Sequence, residues 1–171
     1  MRMTFRKATE HDLDSIMMII GQAQAYFREN RINQWQNQYP NVDIIKADIE
    51  KGYTTVMLIE EKIVATACIS FDGVPNYETI YDGKWLWDGN YAAIQRLAVD
   101  QDYKGTGLAT KFIKIVEQMC LDKGVKSIRV VTHENNVSMQ KVLQKNNFTH
   151  CGHILVSNGE KRIAFEKILE F

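Results

Sequence analysis

The hydrophobic period of this chain switches repeatedly between two and 3.6 residues, and that alternation restricts it to a layered α/β fold more firmly than any single motif does. Met3 to Ala8 reads as a strand. Thr9, with Asp12 three positions on, resembles a capping box, and Leu13, Ile16, Met17, Ile20, Ala23 and Phe27 then recur at helical spacing. Asn41 and Asp43 can cap a short second helix carrying Ile44, Ile45 and Ile49, which stops at Gly52, where a left-handed residue is wanted. TTVMLI and IVATACISF are β-rich runs separated by Glu60, Glu61 and Lys62, close enough to pair antiparallel as a hairpin. Residues 72–90 break the pattern with three glycines, a proline and several aromatics, and read as a structured excursion. Tyr91 to Val99 is again strand-like, and the helix after it places Leu108, Phe112, Ile115, Val116 and Met119 on one face before ending at Gly124. SIRVVT is a further strand, followed by a helix from Asn136 to Asn146 with Asn147 as its left-handed cap. Phe148 to Val156 and Arg162 to Ile168 flank Asn158-Gly159, the pair best suited to a type I′ hairpin turn. The order β-α-α-β-β-β-α-β-α-β-β predicts a mixed sheet with helices on both faces, without an internal repeat or a low-complexity linker.

At 171 residues the chain is expected to form one domain, 1–171, with a core of its own. Lys plus Arg equals Asp plus Glu at 21 each, and no basic run stands out, which argues against a nucleic-acid partner or an anionic membrane surface. Cys68, Cys120 and Cys151 are odd in number, widely spaced and set in apolar stretches, so they read as packed thiols and not as a disulfide framework or a metal site. The start, MRMTFRKATEHD, carries no apolar h-region, and no later window reaches the length of a membrane span. The expected location is the cytosol.

YKGTGLATKF, from Tyr103 to Phe112, packs Gly105 and Gly107 into the approach to a helix. A strand ending in LAV, a short loop and this helix start gather unpaired N–H groups and the positive helix end around one small volume, which suits an anion. Glycine there lets a phosphate approach the amides, and Lys104 adds a charge at the rim. Glycines at a strand-to-helix turn also serve tight packing, so both readings stand on this stretch alone. A Walker A loop is excluded because KGTGLATK lacks its spacing, and GTGLA lacks the third glycine of a dinucleotide fingerprint.

In the order of its motifs the chain resembles the GCN5-related N-acetyltransferase family, whose core pattern is Arg or Gln, two residues, Gly, one residue, then Gly or Ala. Lys104, Gly107 and Ala109 take those three positions. The upstream IQRLAV, the downstream THENNVSMQKVLQKNNF and the closing CGHILVSNGEKRIAFEKI are similar to the family's as well, and INQWQNQYP looks like a bacterial subgroup of it. The resemblance implies a mixed, mostly antiparallel sheet of about seven strands with helices on both faces and a central pair of splayed parallel strands, here 91–99 and 127–132. It implies acetyl-CoA as donor and no metal. Backbone groups of the Leu97, Ala98, Val99 run would pair with the pantetheine arm, and an amide near there would polarise the thioester carbonyl. Amides of Lys104, Gly105, Thr106, Gly107, Leu108, Ala109 and Thr110 would hold the pyrophosphate. Asn136 matches the family asparagine that contacts the pantetheine region, although Asn is also a good N-cap wherever a helix starts.

Two positions depart from the family pattern. Lys104 stands where Arg or Gln is usual and keeps a cation. Leu143 stands where the family often places a Tyr that protonates the departing thiolate; a thiol of pKa roughly 8.5 can leave as an anion near neutrality, so transfer survives the loss in principle. The acceptor amine must lose a proton to attack. Gln95 and Arg96 cannot take it; His133 is the candidate base, with Glu134 behind it, a capping or packing role for His133 and a water relay as the alternatives. Cys120 beside Met119 on an apolar helix side reads as a buried thiol, not an acetyl carrier. Trp35, Tyr39, Tyr77, Tyr81, Trp85, Trp87 and Tyr91 either line an acceptor pocket or pack. The expectation is therefore an acetyl-CoA-dependent N-acetyltransferase of a primary amine on a small molecule or a protein, with room for a homodimer and without a nucleic-acid or membrane partner. A catalytically inactive acyl-CoA-binding or sensing module is the alternative, and a structural or interaction protein with merely packed glycines is a further rival.

Overall fold

The computed structural model describes residues 2–171. In chain order its elements are β1 (Met3–Lys7), α1 (Leu13–Glu29), α2 (Val42–Glu50), β2 (Thr54–Ile59), β3 (Lys62–Ser70), β4 (Ala92–Val99), α3 (Leu108–Lys123), β5 (Ser127–Thr132), α4 (Val137–Lys145), β6 (Thr149–Leu155) and β7 (Lys161–Ile168). The order expected from periodicity is the order observed. The strands form one seven-stranded sheet, β1-β2-β3-β4-β5-β7-β6. It is mixed: β4 and β5 run parallel with Ala92 opposite Ile128 and Ala93 opposite Arg129, while β1–β2, β2–β3, β5–β7 and β6–β7 are antiparallel.

Packing divides the chain into two compact units. The first comprises Met1–Ile69 with Arg96–Phe112. Its core joins Ile16, Ile19 and Ile20 of α1 and Ile45 and Ile49 of α2 to Val56 and Leu58 of β2 and Ala98 of β4. Every residue of β2 is buried, which is why TTVMLI reads as a continuous apolar run and not as an alternating one. Asn41 caps α2 by accepting the Ile44 N–H at 3.0 Å, and Gly52 follows the helix at φ +74°. The β2–β3 connection is a finding the residues do not advertise. Ile59 pairs with Lys62, leaving Glu60-Glu61 as a two-residue turn, and both have positive φ, +49° and +70°. That is type I′ geometry without the usual Asn or Gly.

The second unit comprises Ser70–Gln95 with Ile113–Phe171. Gly124 and Asn147 take φ +69° and +68° after α3 and α4, as their positions predict. The β6–β7 turn departs from the type I′ expectation. Only Gly159 of the Asn158-Gly159 pair has a positive φ, at +83°, and its N–H donates to the Val156 carbonyl at 2.8 Å. The connection is a three-residue loop with the glycine in the left-handed position, closed by Val156 N–H to the Glu160 carbonyl at 2.9 Å. Residues 72–90 are structured, as expected, and are fastened twice. Tyr81 forms an antiparallel bridge with His153 of β6, exchanging N–H···O bonds of 2.8 and 2.9 Å. Gly83 then lies so close to β6 that a Cβ there would fall 1.8 Å from the Cys151 carbonyl oxygen, and one on Gly152 would fall 2.5 Å from that of Tyr81.

The second fastening is ionic. Glu166 of β7 is fully buried and accepts from Ser127 Oγ at 2.5 Å, Arg129 Nε at 3.0 Å and the Leu86 N–H at 2.5 Å. Arg129 in turn donates to the Trp87 carbonyl at 2.5 Å, and its guanidinium lies between the rings of Trp85 and Tyr91, 4.2 and 4.1 Å from their centroids. A cation between two aromatic faces and a satisfied carboxylate thus ties 85–91 to the sheet. No helix among the described residues is long and apolar enough to cross a membrane.

Candidate active site

The glycine loop lies in the first unit. After Val99 the chain makes a 3-10 turn over Gln101–Tyr103, whose cap is the Asp100 carboxylate accepting the Asp102 N–H at 2.9 Å. Gly105 and Gly107 follow with φ +77° and +85°, and α3 begins at Leu108. A Cβ built on either glycine would meet nothing within 4 Å. The packing explanation for these glycines therefore has no support; what they supply is left-handed backbone beside open space. Helix geometry leaves the N–H groups of the first turn of α3 without intrahelical acceptors, and they sit at the positive end of a sixteen-residue helix.

Not every amide of the predicted cradle is equivalent. The Lys104 N–H donates to the Gln101 carbonyl at 3.4 Å and the Thr106 N–H to Tyr103 at 3.3 Å, with Thr106 Oγ1 bonded to the same carbonyl. These two donors are spent on shaping the turn, which leaves Gly105, Gly107, Leu108 and Ala109 as the better cradle. Lys104 is exposed, and its ammonium rests 3.7 Å from the centroid of the Tyr26 ring. On β4, Leu97 and Val99 are half-buried and Ala98 is buried in the α1–α2 core.

Just before that run the strand is kinked. Arg96 has φ +52°, and its guanidinium makes a two-pronged pair with Asp48 of α2, Nε to Oδ2 at 2.7 Å and Nη2 to Oδ1 at 2.9 Å. Its Nη1 donates to the Tyr39 hydroxyl at 3.0 Å and Nη2 reaches Cys68 Sγ at 3.5 Å. Burial alone would lower the Arg96 pKa, but the hydrogen-bonded Asp48 carboxylate outweighs it and holds the guanidinium charged, above its ordinary value. Arg96 and Asp48 were not readable as partners, since 48 residues separate them.

In the second unit, His133 follows β5 and is half-buried. Its Nδ1 accepts the Asn135 N–H at 3.0 Å, and its carbonyl accepts the Asn136 N–H at 2.9 Å. Burial first, then the charge of Arg162, pushes the imidazole below the ordinary histidine range. The neutral ring is thus favoured by folding, and the stability it contributes is present above pH of about 6.5 and lost as pH falls through the lowered pKa. A His133→Gln protein should lack that component, so its deficit in unfolding midpoint relative to the parent should be largest above neutrality and shrink on acidification. Parallel chemical denaturation series across pH measure it.

Asn136 is buried and caps α4, its Oδ1 accepting the Met139 N–H at 3.3 Å. Glu134 is exposed, 3.8 Å from Lys161. Leu143 is 1% exposed, so the position that the family pattern reserves for Tyr is here part of the apolar core. The three thiols are buried and free; burial pushes Cys120 up to about 12 and Cys68 and Cys151 up to about 11, as inert packed cysteines require. Most of the aromatic series packs: Tyr77 is buried, Trp35 meets Phe27 edge-on at 5.7 Å, Tyr81 stacks on His153, and Trp85 and Tyr91 hold Arg129. Tyr39 and Tyr81 are the most open of the series, 40% and 42% exposed, and the Tyr39 hydroxyl accepts from Arg96. Among the described residues there is no cluster of three or more His, Cys, Asp or Glu placed to hold a metal ion.

Residues 20–148 match the sequence model of the acetyltransferase (GNAT) family. Comparison with curated proteins gives no match. Among solved structures, a GNAT-family acetyltransferase from Streptococcus agalactiae is 32% identical, with 99% of this chain and 96% of that one covered and a TM-score of 0.89. The PaiA N-acetyltransferase of Thermoplasma acidophilum, solved in complex with coenzyme A, is 15% identical over 98% of this chain and 99% of that one, with a TM-score of 0.70. The ribosomal-protein-S18-alanine N-acetyltransferase of Escherichia coli is 14% identical over 99% and 96%, with a TM-score of 0.68. The last two likenesses establish a shared fold.

Proposed function

The chain belongs to the GNAT acetyltransferase family, and from that premise we propose that it transfers an acetyl group from acetyl-CoA to a primary amine, by direct attack in a ternary complex. The observation that carries this reading is the open glycine loop at the start of α3, where two left-handed glycines and the helix N-terminus face space that a Cβ would not find occupied. Gly105, Gly107, Leu108 and Ala109 would bind the pyrophosphate through their amides, with Thr110 next along the helix, Lys104 supplying charge at the rim and Thr106 shaping the turn. Leu97, Ala98 and Val99 would pair with the pantetheine arm, and Asn136 would add a contact to it beside its cap. CoA seen in the Thermoplasma neighbour supports the same donor here.

His133 is the proposed base, under one condition set by its geometry. Its Nδ1 lone pair is engaged, so taking a proton there breaks the bond from Asn135. In that role His133→Gln lowers turnover per acceptor KM by about a hundredfold. Unchanged turnover assigns the ring to the turn and proton removal to water. The acceptor is an amine on a small molecule or on a protein; the Escherichia coli neighbour is named for a protein alanine.

Burial of Leu143 favours a second reading, a CoA-binding protein that has lost catalysis. Two measurements separate the readings: calorimetry with CoA, and thiol release from acetyl-CoA with spermidine, phenethylamine and an alanine-initiated peptide. Submillimolar CoA binding together with amine-dependent thiol release is the expected result. Binding without release selects the sensor, and absence of binding removes both.

A further inference from the structure

INQWQNQYP, in the loop between α1 and α2, carries as its penultimate residue Tyr39, which the proposed cofactor site does not use and which the surrounding structure holds in place. The Gln24 side-chain amide donates to the carbonyls of Tyr39 and Pro40 at 2.9 and 3.2 Å, and the Gln36 amide donates back to the Gln24 carbonyl at 3.1 Å. Two glutamines thereby fix the loop's main chain to α1. The Tyr39 hydroxyl accepts from Arg96, whose other nitrogens are locked onto buried Asp48. Arg96 immediately precedes Leu97, the first residue of the run assigned to the pantetheine arm. At position 143, where a phenol would be expected, the side chain is an apolar, buried Leu.

We propose that Tyr39 is the general acid of this enzyme, donating its phenolic proton to the departing CoA sulfur. The assignment rests on the acetyl-transfer reading above. As the amine nitrogen bonds to the acetyl carbon, the C–S bond breaks and its electron pair goes to sulfur, which takes the proton from Tyr39 Oη and leaves as the thiol. The amine's surplus proton departs separately to the base or to water. The phenolate left behind keeps the Arg96 N–H as its hydrogen-bond donor and regains a proton from solvent, to which Tyr39 is open. Arg96 and Asp48 are positioning residues: Asp48 holds the guanidinium in place, and Arg96 orients the hydroxyl and supplies the positive charge that the phenolate needs at that moment. The kink at Arg96 brings that guanidinium to Tyr39, Asp48 and Cys68 together.

The test compares the parent with Tyr39→Phe, which keeps the ring and loses the proton. Acetyl-CoA binding is read by calorimetry, and kcat by thiol release with spermidine, phenethylamine and an alanine-initiated peptide across pH. The expected result is an acetyl-CoA Kd unchanged within about twofold and kcat lower by about a hundredfold near neutrality. Retention of kcat overturns the assignment. So does a raised acceptor KM with unchanged kcat, which makes Tyr39 an acceptor contact. If the parent binds CoA but releases no thiol with any amine, the acid role falls because no sulfur leaves; if the parent binds no CoA at all, the acetyl-transfer reading itself has failed, and the calorimetry reports that separately.

Discussion

Gly107→Asp should weaken CoA binding by a hundredfold or more while the protein keeps its fold. Two effects act together on the ligand. The side chain enters the open space beside the bare glycine, and its carboxylate sets a negative charge beside the amides that would otherwise meet phosphate oxygens. Two like charges about 4 Å apart at an effective dielectric near 20 repel by roughly 4 kcal/mol, more than a hundredfold in affinity requires. The cost to folding is smaller. Nothing lies within 4 Å of the new Cβ, so the penalty is that of an L-residue at φ +85°, about 1–2 kcal/mol. Gly107→Ala separates the terms, since it carries the backbone strain and the added carbon without the charge. CoA calorimetry with thermal unfolding of each variant decides the matter: a folded Gly107→Asp protein that binds CoA as the parent does removes the cofactor assignment.

Arg129→Met should cost about 3–5 kcal/mol of stability, the largest loss expected from a single substitution in the second unit. It leaves Glu166, fully buried, with its charge uncompensated, and it removes the cation from between Trp85 and Tyr91. Replacing both partners, Arg129→Met with Glu166→Leu, removes the stranded charge and should recover part of the loss, although the Leu86 N–H and Ser127 hydroxyl then lose their acceptor. Urea unfolding followed by tryptophan fluorescence checks this, because Trp85 and Trp87 adjoin the pair. A single variant within about 1 kcal/mol of the parent would mean that the carboxylate finds water or a proton in place of arginine.

The contrast between these two sites shows what can be read from residues alone. Elements were legible because their signals are local: the caps at Asn41 and Asn136 and the left-handed ends at Gly52, Gly124 and Asn147 each depend on a few neighbours. The glycine loop was legible as a site for the same reason, while the positive φ of Gly105 and Gly107 is read from the structure. Turn type was not. At Glu60-Glu61 the register is dictated by two strands with buried faces, and whichever residues remain between Ile59 and Lys62 must adopt the tight geometry. At Asn158-Gly159 the best local pair for one turn was used for another. Contacts between elements distant in sequence were silent: Arg129 and Glu166 stand 37 positions apart, and Arg96 and Asp48 stand 48 apart. Neither pair has a spacing that any helix or hairpin rule would flag. The role of Leu143 was half legible, since the missing hydroxyl could be seen but its burial could not.

The Tyr81–His153 bridge also bears on how this protein keeps company with copies of itself. β6 ends the sheet, and an end strand offers a row of unpaired main-chain groups to any extended segment that drifts past. Here the chain fills part of that row itself. Tyr81 pairs with His153, Lys84 donates to the Cys151 carbonyl at 3.0 Å, and Gly83 and Gly152 are bare enough to let the two backbones touch. Residues 81–84 therefore cover part of the sheet edge against edge-to-edge strand addition, and that cover relies on the close approach of Gly83 and Gly152.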